Sequence, residues 1–420
     1  MRLSTSLMYQ NGLNGLLNQQ STLSRLQQQL SSGRAFLSPA DNPLAAALSV
    51  NVTQTASMNE TYAANRVKAN TTLGLEDNAL GSIITTMQDV MKRIVEAGNG
   101  TMSDADRQSL ATALASARDQ LVGLGNTTDG NGEYLFAGFT GNSEPFVKDS
   151  AGNVTYTGDQ GQRLIQVDQT RQISGSDVGS DIFGKAAAGV LAYIAQAGAA
   201  NTGSGTFGTV SFGAPGATSN VKSDFSIAFS NNATTGALEY TVTVTPPPST
   251  DPSVPTPPPF TLPAKPYVAG ETIDMGGVSM KMSGQPAAGD SFTVQTPKES
   301  NMNTFDSLNR LINVLKSPSS GNEQATAALV NQLASANKQI SLAYDNVLTV
   351  RASVGARMNE LDALDATGKQ KGLSYTKQLS DLEDVDPFKV TSELVMRKTA
   401  LDAASQAFTL IQGTSLFRRS

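Results

Sequence analysis

The 420-residue chain contains no cysteine, no histidine and no tryptophan. Without cysteine it can form no disulfide and use no thiol in catalysis, and without histidine it has no histidine-based proton relay. Most zinc sites are excluded as well, because they are built from these two residue types. We therefore predict that the protein is not an enzyme and has no catalytic, cofactor-binding or metal site.

Aromatic residues are also scarce, at 6% of the chain, while hydrophobic residues of all kinds make up 39%. That content is thin for one large core and suits long helices combined with a modest β-rich region. A chain of this length can hold roughly two to four domains.

Long apolar runs and basic clusters are absent too. No run approaches the ~18 apolar residues of a membrane span, so we expect no contact with a membrane. The net charge is −6 and the pI about 4.9. With no large basic cluster in an acidic chain, nucleic acid is not expected as a partner. The first residues, MRLSTSLMYQ, lack the features of a secretory signal, so we expect any export to proceed without a cleaved signal.

The most informative feature that is present is a heptad pattern at both ends of the chain. Apolar residues recur there in steps of three, four or seven, which places them along one stripe of a helix. Such a stripe needs a partner, so we predict that the terminal segments pair with each other or with neighbouring copies. The predicted assembly interface comprises Leu13, Leu16, Leu23 and Leu30 near the N-terminus and Val390, Leu394, Leu401, Phe408 and Ile411 near the C-terminus.

Helical patterns continue inward from both ends, separated by proline and glycine clusters. Ser103 and Asp106 have the spacing of a capping box, which marks the start of a helix. The predicted helices cover residues 1–37, 44–97, 103–123, 301–315 and 329–361, and an interruption at 380–387 precedes a final helix.

Residues 140–300 have a different character. Short β-branched runs alternate there with glycine, asparagine, aspartate and serine clusters, which is typical of strands joined by turns. A helix is predicted over Ile182–Ala200 within this insert. The segment Pro246–Pro266 holds ten of the 18 prolines and is predicted to be an exposed, extended loop.

These patterns predict an α+β multidomain fold, in which long coiled-coil helices from both termini flank a β-rich central insert. Three domains are expected. Residues 1–43 and 380–420 form a terminal assembly domain, residues 44–139 and 301–379 a helical rod domain, and residues 140–300 a β-rich outer domain that carries the proline-rich loop 246–266.

Three short motifs resemble functional sites by residue type alone. Gly203, Gly205 and Gly208 have the spacing of a dinucleotide-binding fingerprint, but that fingerprint needs a strand before the glycines and a helix after them, and the order here is reversed. A glycine-rich turn is the better interpretation. The adjacent acids Glu383 and Asp384 are interpreted as charges at a helix end.

A third motif, Asp129, Asn131 and Glu133, has the alternating oxygens of a calcium loop. The sixth position, which needs glycine, is Tyr134, and no bidentate acid follows at the required distance. We interpret this motif as a turn.

Both helical ends resemble the flagellin family. The residues that carry the resemblance are Leu30–Arg34 followed by Ser38–Leu48, the segment Met91–Thr101, and residues 380–420 with their acidic SDLEDVD turn. The start MRLSTSLMYQ, the stretch Asn131–Gly138 and the ending SQAFTLIQGTSLF resemble the junction proteins of the family more than its filament-forming members.

This resemblance implies a structural role as an adaptor ring between the flagellar hook and the filament. The implied partners are hook-associated protein 1, flagellin, further copies of the chain in a ring, and a flagellar export chaperone before secretion. The implied location is extracellular, on the flagellum, after export in an unfolded state. One alternative is a filament-forming flagellin. A second is an enzyme carried in the central insert, which the missing histidine and cysteine disfavour.

Overall fold

The computed structural model describes residues 5–213, 220–249, 251, 253, 255–298 and 301–414. Over these residues the chain forms seven helices and thirteen strands. The helices are α1 (Thr5–Ser32), α2 (Pro43–Ala97), α3 (Asp104–Gly125), α4 (Gly179–Phe183), α5 (Thr304–Lys316), α6 (Glu323–Glu383) and α7 (Pro387–Thr414). The order of helices, central strands and helices confirms the predicted fold class.

Side-chain caps define where the main helices begin. Ser103 and Asp106 form the predicted capping box at α3, each side chain accepting a backbone N–H of the other residue. Asn303 accepts two backbone N–H groups at the start of α5. Asp386 does the same at the start of α7, where Pro387 occupies a first helical position that needs no donor.

The chain divides into two units, each described by itself. Unit 1 takes in the chain up to Arg66, Val167–Arg171 and the chain from Asp362. Unit 2 takes in Val67–Gln166 and Gln172–Leu361. The helices α2 and α6 contribute to both units, and the three-domain division stays a prediction.

In unit 1, α1 contacts α7, and the beginning of α2 contacts the end of α6. Arg66 is 3% exposed and donates from Nη1 to the carbonyl of Val167 at 3.0 Å. Its Nε lies 3.5 Å from the carboxylate of Asp365. The amide of Asn59 donates to the carbonyl of Gly368 at 2.9 Å. Polar contacts therefore hold this helix pair together in unit 1.

The helical part of unit 2 has a well-filled apolar core. α3 packs against α5, and both helices bury leucines completely. An aromatic cluster of Phe146, Phe183 and Phe305 lies beside this pair, with ring centroids 4.9–5.3 Å apart. This cluster connects the first strand of the insert and α4 to α5.

The strands form four antiparallel sheets. The largest has the order β10-β8-β7-β13-β5, with β9 also pairing with β8, and a three-stranded sheet has the order β11-β12-β6. The pairs β1–β2 and β3–β4 are two-stranded. The strands are β1 (Phe146–Lys148), β2 (Val154–Tyr156), β3 (Leu164–Asp168), β4 (Arg171–Ser174), β5 (Ile194–Ala197), β6 (Thr206–Phe212), β7 (Asp224–Asn231), β8 (Leu238–Thr245), β9 (Phe260–Thr261), β10 (Lys265–Pro266), β11 (Thr272–Asp274), β12 (Val278–Ser283) and β13 (Ser291–Gln295).

The two larger sheets share an apolar core. Alternate residues of β7 and β8 point into it, as the period of a half-buried strand requires. Members of this core include Phe225, Ile227, Val244, Met280 and Phe292, each at most 2% exposed. The proline-rich segment ends in β9 and β10, which pair with the edge of β8 and so follow the expectation that it forms no central strand.

Three boundary predictions were wrong. The helix predicted over residues 329–361 is part of the longer α6, Glu323–Glu383. The helix predicted over Ile182–Ala200 is only the short α4, followed by β5, because Gly184 ends α4 and Gly189 adopts a φ of +78°. The alanine-rich sequence has helical propensity, but pairing with β13 overrides it. The first helix ends at Ser32 rather than residue 37, because Gly33 has a φ of +73°.

Candidate functional site

The two helices that carry the predicted assembly residues, α1 and α7, contact each other. Leu16, Leu394 and Leu401 are half-buried, and Val390 is 9% exposed. The structure therefore brings the two terminal stripes together in one chain, and we call this contact the terminal seam. The remaining predicted residues are Leu23 and Phe408, which are also half-buried, Leu13 and Leu30, which are each 39% exposed, and Ile411, which lies outside the residues whose side chains are described.

Among the α1 residues whose side chains are described, the most buried was not predicted. Leu26 is 4% exposed, whereas Leu23 is half-buried. The prediction followed the seven-residue steps of Leu16, Leu23 and Leu30, which mark one heptad position. Leu26 stands three residues after Leu23, at the other apolar position of the heptad. The three-residue step was the signal that could have found it.

An aromatic contact closes the far end of the terminal seam. The rings of Tyr9 and Phe408 have centroids 5.1 Å apart. A Cβ at Gly12 would come within 3.1 Å of the Phe408 ring, so the glycine makes room for it. This contact joins the beginning of α1 to the end of α7.

A short backbone clip closes the near end. The N–H of Ala35 donates to the carbonyl of Glu383 at 2.6 Å, and the N–H of Val385 donates to the carbonyl of Gly33 at 2.9 Å. Arg34 and Asp384 thus pair as an isolated antiparallel bridge. The clip joins the end of α1 to the beginning of α7, so the two helices run antiparallel along the seam.

The segment after the clip is ordered by one carboxylate. Asp41 accepts the backbone N–H groups of Leu37 and Ser38 at 3.0 and 2.9 Å. These bonds, that of Ser38 first, lower the pKa of the Asp41 carboxyl below its ordinary value. The carboxylate stabilises the turn between α1 and α2 through charge-assisted hydrogen bonds.

The terminal seam does not use all the apolar surface of its helices. Phe388 is 86% exposed, Met396 70% and Val395 58% on α7, and Leu17 is 54% exposed on α1. Single exposed apolar residues are ordinary, but several large ones on one helix pair make it a candidate binding surface. The arrangement can therefore hold two helices together and present further apolar side chains to neighbours.

A second structural feature, in unit 2, fastens the insert to α6. Asn331, Ser335, Gln339 and Asn346 are 1–6% exposed although they are polar. Together with Arg357 they form what we call the polar ladder of α6. Each donates a side-chain hydrogen bond to a backbone carbonyl: Asn331 to Gly205 at 2.9 Å, Ser335 to Ala195 at 2.6 Å, Gln339 to Asn301 at 2.6 Å, Asn346 to Asp181 at 2.7 Å and Arg357 to Ser174 at 3.1 Å.

The polar ladder has a clear physical role. Strand and loop carbonyls that lie against a helix lose their hydrogen bonds to water, and each needs a hydrogen-bond donor from the protein instead. Asn331 pairs with a backbone carbonyl and also with a backbone N–H group, because its Oδ1 accepts the N–H of Phe207 at 3.1 Å. The ladder therefore connects the insert to α6 through specific polar contacts. Sequence periodicity placed these residues on a helix but could not show what they face.

The glycine motif serves packing. A Cβ at Gly203 would lie 2.4 Å from the backbone nitrogen of Ala287, and one at Gly205 would lie 2.9 Å from Pro286. The carboxylate of Asp290, which is 1% exposed, accepts the N–H of Gly203 at 3.1 Å. The glycines let two loops approach closely, and a strand rather than a helix follows them.

The other two weak motifs are also structural. Asp129 accepts the N–H groups of Asn131 and Glu133 at 2.8 and 2.9 Å, which closes a turn after α3. Glu383 and Asp384 lie at the end of α6 within the clip. Over the part of the chain that the structure describes, no group of three or more acidic residues could hold a metal ion, and no helix is long and apolar enough to cross a membrane.

Comparison with known proteins identifies the family of this chain. Flagellar hook-associated protein 3 of Salmonella typhimurium is 30% identical over 418 residues, which cover 100% of this chain and 99% of that protein. The chain belongs to the flagellar hook-associated protein 3 family. The protein of the same name from Escherichia coli is 29% identical over the full length of both chains. Residues 3–140 match the model of the bacterial flagellin N-terminal helical region.

Solved structures agree with this family. FlgL of Xanthomonas campestris has a TM-score of 0.64 at 30% identity, covering 78% of this chain and 99% of that one. The flagellar junction protein FlgL of Legionella pneumophila has a TM-score of 0.61 at 25% identity, covering 80% and 100%. Membership makes the chain a structural protein of the flagellar hook–filament junction rather than a plain filament flagellin.

Proposed function

We propose that this chain is the adaptor that joins the hook, through hook-associated protein 1, to the first flagellin subunits of the filament. Copies of the chain assemble side by side in a ring and carry no catalytic activity. The relatives that it matches are flagellar structural proteins, which supports this role.

The observation that carries the proposal is the half-buried state of the terminal seam. In the described part of the chain, Leu26 is the most buried apolar residue of α1 and Val390 that of α7. Phe388 and Met396 on α7 remain largely exposed. A helix pair with so little buried surface is marginal in water and gains stability from neighbouring helices. The proposed assembly domain accordingly consists of residues 1–43 and 380–420. The proposed supporting domains are the helical rod domain, residues 44–139 and 301–379, and the outer domain, residues 140–300.

We also infer that the chain is exported unfolded and that a flagellar export chaperone covers its terminal stripes beforehand. An exposed apolar seam would otherwise associate inside the cell. The absence of cysteine is compatible with passage of an extended chain.

The test separates the two faces of α7. Leu401→Asp places a charge in the terminal seam, and Met396→Asp places one on the exposed face. Thr391→Asp, at an exposed polar position of the same helix, is the matched control. We expect cells carrying either of the first two variants to secrete the protein but to shed filaments from their hooks.

Thr391→Asp should retain filaments. If Leu401→Asp and Met396→Asp both retain filaments as the control does, the terminal segments are not the joining surface. Retention of either protein inside the cell would instead locate the defect in chaperone binding or export, which measurement of secreted protein distinguishes.

A further inference from the structure

A buried carboxyl group in unit 2 belongs neither to the terminal seam nor to the polar contacts that define the ladder. Glu76, on α2, is 0% exposed. Its Oε1 accepts the backbone N–H of Asp177 at 3.0 Å. Its Oε2 is buried and has no hydrogen-bond partner among the described residues. A buried carboxylate oxygen without a partner is costly, so this group needs an explanation.

The loop that Glu76 contacts is held from two sides. Residues 174–178 run from the last residue of β4 to the residue before α4, and Glu76 binds this loop from α2 by accepting the N–H of Asp177. From α6, Arg357 donates to the carbonyl of Ser174 and pairs with the carboxylate of Asp177. The side chains of Asp177 and Arg357 are 16% and 14% exposed. The loop thus lies between α2 and α6, with Glu76 as its fastening point on α2.

The charges around Glu76 favour its neutral form. Burial raises its pKa to about 8, the neighbouring Asp177 carboxylate adds to the increase, and Arg357 opposes it. One guanidinium therefore faces two carboxyl groups, and it already pairs with Asp177. On α2 itself the adjacent Asp77 is paired with Arg351.

We propose that Glu76 is a proton-controlled latch: as the neutral acid it holds the loop of residues 174–178 between α2 and α6, and its loss of a proton loosens that loop. Ionisation leaves a buried charge beside the Asp177 carboxylate. The free-energy cost of burying this charge is removed when the loop opens and water reaches Glu76.

The direction of the pH effect follows from the two states. When the loop is open, the carboxyl regains an ordinary pKa near 4.5, whereas in the closed loop the pKa is about 8. The hold of Glu76 on the loop is complete below the lower pKa, weakens steadily as the pH rises from the lower pKa to the upper one, and stays weak above the upper pKa. Within that window the opening equilibrium shifts about tenfold per pH unit.

The experiment measures hydrogen exchange of the amides of residues 174–178 in the full chain, at pH values from 5 to 9. The wild type is compared with Glu76→Gln at each pH, so that the intrinsic pH dependence of exchange cancels. We expect the protection of the wild type relative to the variant to fall about tenfold per pH unit and to level off above about pH 8. Asp77→Asn, on the same helix, is the control and should follow the wild type.

A constant ratio between wild type and Glu76→Gln across this range would overturn the proposal. A second measurement applies even where the variant folds poorly. The infrared band of a protonated carboxylic acid should persist in the wild type at pH 7, where ordinary carboxyl groups are ionised, and disappear at higher pH. Asp177→Asn removes the neighbouring negative charge that helps to raise the pKa of Glu76. In this variant the band should therefore disappear at a lower pH than in the wild type. Absence of the band at pH 7 would also refute the latch.

Discussion

Two helix pairs of this chain have comparable sequence patterns and very different packing. In unit 2, α3 and α5 bury Leu114, Leu121, Leu308 and Leu311 completely. In unit 1, α1 and α7 leave most of their predicted apolar stripe half-exposed. A heptad pattern therefore marks an apolar stripe but does not say whether one chain supplies all of its partners. The first pair has the packing of a folding core, and the second has the half-exposed packing expected of the proposed assembly surface.

The largest effect is expected from removal of the insert. Replacing residues 140–300 by a flexible linker removes Phe146 and Phe183 from the aromatic cluster and leaves Phe305 without them. It also removes most of the carbonyl partners of the polar ladder. We expect α3, α5 and the adjoining part of α6 to lose cooperative thermal unfolding, which calorimetry would detect. A sharp transition at the wild-type temperature would show that the helical core is independent of the insert.

The comparison of the two helix pairs is tested directly by matched leucine substitutions. Leu311→Ala creates a cavity in a fully buried site and should lower the free energy of unfolding by about 2–5 kcal/mol. Leu401→Ala, in the half-buried terminal seam, should lower it by about 1 kcal/mol or less in the dilute monomer. Denaturant unfolding measures both. Equal losses would mean that the seam is already a folding core.

A smaller effect is expected from the polar ladder. Ser335→Ala leaves the carbonyl of Ala195 without its donor, which should cost about 1–3 kcal/mol of unfolding free energy. Ser353→Ala, at an exposed position of the same helix, should stay within about 0.5 kcal/mol of the wild type. If the two variants unfold alike, the ladder contributes nothing measurable to attachment of the insert.

The smallest effect is expected in the proline-rich loop. Val244 and Phe260 are neighbours in paired strands, although the loop between them is long. Replacing residues 246–259 by a short turn keeps both strands in register, and the cost of loop closure depends only weakly on loop length. The melting temperature should therefore change little. A large decrease would show that the loop packs on the β-rich core.

Sequence periodicity predicted the elements whose pattern is local. The long helices, the capping box at Ser103 and the β-rich character of residues 140–300 followed from spacing and turn residues. The segment Ile182–Ala200 was misassigned because its alanines favour a helix while its pairing with β13 is a long-range contact.

The rest of the site depended on partners far away in the sequence. Asn331 and Ser335 look like a solvated helix face until the strands that they contact are known. Glu76 is one acid among many in the sequence, and only its burial against the loop of Asp177 distinguishes it. Leu26 is different, because its three-residue step was visible and only the choice of register passed over it.

The backbone clip between Gly33–Ala35 and Glu383–Val385 has a mechanical consequence. The two ends of the chain enter the terminal seam at neighbouring points, so all the residues between them form a closed loop. We therefore expect tension applied along α1 and α7 to be borne mainly by the terminal seam and by these two backbone hydrogen bonds, and less by the chain that lies between. A segment in that closed loop can lengthen, shorten or change its sequence without altering the path along which the ends carry load.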